Sequence, residues 1–125
     1  MALLNATGGQ AATNTATRLG TGNGAGSAAI GDTDLGAAAG SANRWFNIMD
    51  ATFPSVATNV LTAKSTFASA DGNYAWNEWG LDIGTPTVSS SATVNATLLN
   101  HKTSAALGTK ASGSSWALTV TITIS

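Results

Sequence analysis

The last ten residues, Trp116-Ala117-Leu118-Thr119-Val120-Thr121-Ile122-Thr123-Ile124-Ser125, decide the fold class. Trp116, Leu118, Val120, Ile122 and Ile124 alternate with Ala117, Thr119, Thr121, Thr123 and Ser125. A strand sends successive side chains to opposite faces, so this order makes one face wholly apolar and the other small or hydroxylated. A helix would scatter the two sets around its axis, and the segment is read as a half-buried β-strand.

Working backwards, Gly108 to Ser115 reads as the turn into that strand. Ser91 to Leu99 and His101 to Leu107 read as two further strands. Tyr74 to Leu81 carries aromatics on both faces, which suits a strand covered on both sides or placed at an interface, and Gly84-Thr85-Pro86 ends it. Val56 to Phe67 reads as a strand that opens at a corner, Phe53-Pro54-Ser55, because proline cannot donate to a central ladder. Arg44 to Ala51 adds a strand or a short helix. The sum is six to eight short strands, the pattern of an all-β antiparallel sandwich or jelly roll spanning residues 44–125.

Residues 1–43 are dominated by Gly, Ala, Thr, Asn and Ser. The run Gly20-Thr21-Gly22-Asn23-Gly24-Ala25-Gly26 reads as too flexible for the interior of a regular element, so this portion is expected to be a flexible N-terminal arm with long loops.

Charged residues make up only 9% of the 125-residue chain and the formal net charge is −1. A surface so neutral suits a protein packed against neighbours, because free monomers usually carry more charge to stay soluble. Arg18, Arg44, Lys64, Lys102 and Lys110 are scattered and form no basic stripe, which disfavours nucleic acid as a partner. Cysteine is absent, excluding disulfides and thiolate metal sites. Met1-Ala2-Leu3-Leu4 followed by Asn5 does not read as a signal peptide, and no stretch reaches the roughly 18 apolar residues of a membrane helix. No membrane association is expected.

In order along the chain, Leu19-Gly20-Thr21-Gly22, Asp32-Thr33-Asp34-Leu35, Trp76-Asn77-Glu78-Trp79-Gly80-Leu81, Leu98-Leu99-Asn100-His101-Lys102, Leu107-Gly108-Thr109-Lys110 and the final Thr-rich strand resemble small virion proteins of tailed bacteriophages. Such modules occur as head proteins and as β-rich domains of tail-fibre or collar proteins. Two departures blur head against tail: Leu81-Asp82-Ile83 stands where Phe-Asn is usual, and His101 occupies a position expected to be basic. The resemblance implies a capsid decoration or cement protein, made in the host cytoplasm and held in the virion, a trimer that binds the major capsid protein and copies of itself. The alternatives are a minor tail, collar or fibre protein touching tail partners or host glycan, and a carbohydrate-binding module.

Glu78, the sole glutamate, sits between tryptophans and invites comparison with a glycosidase acid. That chemistry needs a second flanking carboxylate, and Asp71 or Asp82 are poor candidates, one in a turn and one at a strand end. Glu78 is therefore expected to be a structural buried carboxylate held by backbone amides or by Arg44 or Lys102, since an unpaired buried charge is costly. Trp76 and Trp79, three apart, would point to opposite faces of a strand, which argues against a sugar platform and puts at least one of them in the core or at a subunit interface. Trp45, Trp76 and Trp79, with Leu3 and Leu4 of the arm, are the interface candidates. His101 alone cannot make a zinc site. Asp32-Thr33-Asp34 lacks the closing glutamate of a calcium loop and reads as an Asx turn. Gly24 to Ala29 only formally fits a dinucleotide fingerprint, and the Asn5 and Asn95 acceptor patterns carry no weight in so Asn- and Thr-rich a chain. No catalytic residue and no cofactor are expected.

Overall fold

A computed structural model describes residues 12–83 and 92–125. Among them the regular structure is all β: β1 (Thr17–Gly22), β2 (Arg44–Ile48), β3 (Ser55–Ala57), β4 (Val60–Phe67), β5 (Glu78–Ile83), β6 (Thr97–Lys102) and β7 (Trp116–Thr123). They form two antiparallel sheets, one ordered β2-β1-β5-β6 and the other β3-β4-β7, packed as a β-sandwich.

The C-terminal alternation is realised in β7. Leu118 and Val120 are buried, Ala117, Thr119, Thr121 and Thr123 are exposed, and the strand runs in unbroken register with β4 from Val60↔Thr123 to Phe67↔Trp116. The core between the sheets is built from Leu19 and Leu81 on one side and Leu61, Ala63, Phe67, Leu118 and Val120 on the other. Trp76 meets Phe67 and Trp116 edge to face at centroid separations of 4.8 and 5.2 Å, the arrangement aromatic quadrupoles favour.

Four expected strands are drawn differently. The Val56 to Phe67 strand is a hairpin, β3 and β4 joined by Thr58-Asn59, with Thr58 at a φ of 55°. Tyr74 to Asn77 precedes β5 instead of belonging to it, tied by one bridge from Ala75 to Thr109. The two strands expected on either side of Asn100 are one, β6.

The largest correction concerns the arm. The sandwich does not begin at residue 44: Thr17–Gly22 is an inner strand, paired with β2 on one side and β5 on the other, and all six of its residues are buried. Its glycines are there for space. A Cβ on Gly20 would lie 2.3 Å from the Phe46 ring, and one on Gly22 would lie 2.4 Å from Glu78 Oε1. Glycine within a strand marks such close approach, which composition alone reads as flexibility. Residues 23–43 are irregular, yet Leu35 and Ala37 are buried, and this segment covers the side of the larger sheet that faces away from the core.

Candidate functional site

Ionisable side chains gather on that outer side. Residues of β1 and β5 alternate in direction, so Leu19, Thr21 and Leu81 face the core, whereas Arg18, Glu78 and Asp82 face the covering segments. Glu78, at the head of β5, is fully buried. Its Oε1 accepts from the backbone N–H of Ala37 at 2.7 Å and Gly24 at 3.2 Å, and its Oε2 from Gly36 N–H at 2.8 Å and His101 Nε2 at 2.7 Å. A desolvated carboxylate needs donors on both oxygens, and here three come from the chain segment it holds down.

His101 reaches this position from β6, where it lies opposite Gly80. Its Nδ1 is 2.7 Å from Asp32 Oδ2, so both ring nitrogens address carboxylates. Only the imidazolium can donate to both. Burial works against that charge, but the hydrogen bonds to Asp32 and Glu78 outweigh it and raise the His101 pKa above its ordinary value. Asp32 is lowered in turn, by the Ala29 amide first and by His101 second.

Two further ion pairs flank this centre. Arg18 contacts Asp82 through Nη2 at 2.6 Å and Nε at 3.2 Å, and donates to Val94 O at 2.7 Å. Asp82 also accepts from the Ala96 amide. Burial pushes the Asp82 carboxyl up, and the Arg18 and Ala96 hydrogen bonds only partly restrain it. Arg44 Nη1 spans both oxygens of Asp34 at 2.7 and 2.8 Å, while its Nε and Nη2 donate to the Ala37 and Leu35 carbonyls. Each group thus fastens an irregular segment, 32–37 or 94–96, to the larger sheet.

The sequence-derived candidates fall out unevenly. Glu78 is held by backbone amides as expected in kind, but its side-chain partner is His101, not Arg44 or Lys102. Its side chain is 1% exposed with both oxygens engaged, which leaves a glycosidic oxygen no approach to it. Trp76 is a correction: it is 2% exposed and its Nε1 donates to the Gly72 carbonyl, so it is core and cannot serve as an interface residue or stack a sugar beside Trp79. Trp45 and Trp79 are half-buried against the core. Leu3 and Leu4 lie outside the described residues. Asp32 and Asp34 do form turn contacts, to the Ala29 and Leu35 amides, but their weight falls on His101 and Arg44. Among the described residues no cluster of three or more His, Asp or Glu side chains is disposed to hold a metal ion. Buried Lys110, whose Nζ donates to Asn73 Oδ1 at 2.6 Å, carried no warning in its neighbours.

Compared with known protein families, with curated proteins and with solved structures, the chain finds no match.

Proposed function

We propose that this chain is a structural protein of a tailed-phage particle, acting by adhesion to neighbouring subunits, with capsid decoration as its leading role. One observation carries the reading. The groups able to do chemistry, Glu78, His101, Asp82, Arg18 and Arg44, are turned inward to pin loops onto a sheet. Among the described residues the outside is mostly Thr, Ser and Ala, with exposed aliphatics such as Ile48, Val56, Leu99 and Ile124 and few charges, Lys64 and Lys102 among them. A surface of that kind recognises by shape, apolar area and backbone hydrogen bonds. The ordered succession of short motifs resembling small virion proteins supplies the assembly.

A decoration protein that binds only the mature shell stabilises it by mass action, about 2.7 kcal/mol per site at a concentration one hundred times Kd. Particles carrying the chain should therefore disrupt at a higher temperature than particles lacking it, and equal disruption temperatures would remove the decoration role. A tail location is the second reading, favoured by half-buried Trp79 and Trp45, which can offer aromatic surface to a tail partner. Antibody labelling of the tail instead of the shell would put it first.

A further inference from the structure

Each sheet has two edge strands, and an exposed edge invites pairing with another chain unless something blunts it. Three of the four edges are blunted. On β2 the Phe46 amide is engaged at 2.6 Å by the Ala92 carbonyl, and Arg44 adds charge. β6 carries His101 and Lys102. β3 is three residues long and follows Pro54. The fourth, β7, is eight residues long, without a charged residue or proline, and among the described residues it pairs with β4 alone.

The hydrogen-bond pattern shows what that edge offers. The Ile124 amide donates to the Asn59 carbonyl, which makes 59 and 124 a hydrogen-bonded pair in the register continued from β4–β7. Such pairs recur every second residue in an antiparallel ladder. Leu118, Val120 and Ile122 therefore direct their backbone groups at β4, and Ala117, Thr119, Thr121 and Thr123 direct theirs away from it. The same alternation that buries the aliphatic side chains places the free amides and carbonyls on the residues with small, exposed side chains.

We infer that β7 pairs antiparallel with β7 of a second copy about a two-fold axis at Val120, joining two three-stranded sheets into one of six strands. In this register Thr119 lies opposite Thr121 of the second copy and Ala117 opposite Thr123, so every outward N–H and C=O of those residues finds its complement. On the inner face Leu118 meets Ile122 of the copy. Trp116, half-buried, meets Ile124, which is 51% exposed in the single chain. A strand with a charge or a proline could not pair with itself so completely, and this self-complementarity is why a second copy is the occupant. The contact is isologous and gives a dimer instead of the trimer expected from the sequence. It does not depend on where in a particle, if anywhere, the chain resides.

Sedimentation equilibrium of the full chain at micromolar concentration tests this. The wild type should have the mass of two chains. Thr119→Lys combined with Thr121→Lys puts four lysines in directly opposed pairs across the axis while touching only exposed side chains, and should give the mass of one chain with an unchanged circular dichroism spectrum. Thr121→Pro, which removes one outward amide and no bond to β4, should do the same and serves if the lysine variant fails to fold. A monomeric wild type would overturn the inference. A trimer, or a dimer that survives either folded variant, overturns it equally.

Discussion

Replacing Glu78 separates a carboxylate that holds the fold together from one that is merely buried. In Glu78→Ala the amides of Gly24, Gly36 and Ala37 lose their acceptor together with His101 Nε2. A buried donor left unsatisfied costs about 1–3 kcal/mol, so the three amides alone amount to roughly 3–9 kcal/mol. Water entering the vacated space would bring the loss towards the lower figure. Set against a total stability of about 5–15 kcal/mol, the alanine variant should be largely unfolded or close to it. Glu78→Gln keeps the shape and is the sharper probe. With its carbonyl oxygen in the Oε1 position, the Gly24 and Ala37 bonds survive. Its NH2 then faces Gly36 N–H and His101, and His101 can shed a proton and accept from it. One amide is stranded and one charge-assisted bond becomes neutral, for a cost of about 2–4 kcal/mol. Urea unfolding gives this difference, and the chain's single histidine makes the ring titration readable by NMR without assignment. The glutamine variant should unfold at lower urea and its His101 pKa should fall. Wild-type midpoints with an unmoved titration would refute the view that Glu78 is the anchor of the 24–37 segment.

Because His101 titrates higher in the folded chain than in the unfolded one, its contribution to stability is complete below the unfolded pKa of about 6.5 and is lost as pH rises through the raised folded value. The urea midpoint should therefore decline across that interval at fixed ionic strength, and His101→Gln should flatten the decline. Gly20→Ala drives a methyl into the Phe46 ring and should cost about 1–3 kcal/mol; adding Phe46→Leu should make the pair less damaging than the sum of the single changes in a double-mutant unfolding cycle. Thr58 occupies the left-handed region in the β3–β4 turn, a conformation costing a non-glycine residue about 1–2 kcal/mol. Thr58→Gly should raise thermal stability by roughly 0.5–1 kcal/mol once glycine's extra unfolded-state entropy is subtracted, and a lower melting temperature would show that the turn is unstrained.

What could be seen in the sequence was whatever repeats with a period of two and is half-buried. β7 was legible residue by residue because one of its faces meets the core and the other meets solvent. β1 was not, because both of its faces are covered. Beneath Phe46 and Glu78 this doubly buried strand has room only for glycine at positions 20 and 22, and with Thr17 and Thr21 beside them it looks compositionally like a linker. Glu78 stood out as a lone acid among tryptophans, and an expectation of backbone amides followed from the cost of burying it. Its pairing with His101 did not, because it depends on β5 and β6 being neighbours with Gly80 opposite the imidazole. Trp76 stands in an aromatic run that suits a core or an interface equally, and only the irregular chain before β5, which turns the ring inward onto Phe67, decides for the core.

The most direct test of the adhesive, structural role is cryo-electron microscopy of the assembled phage particle at a resolution that separates strands. The expected result is density for a sandwich of a four-stranded and a three-stranded sheet on the outer surface of the head, bridging capsid subunits. Complete particles of full infectivity with no such density anywhere on head or tail would contradict it.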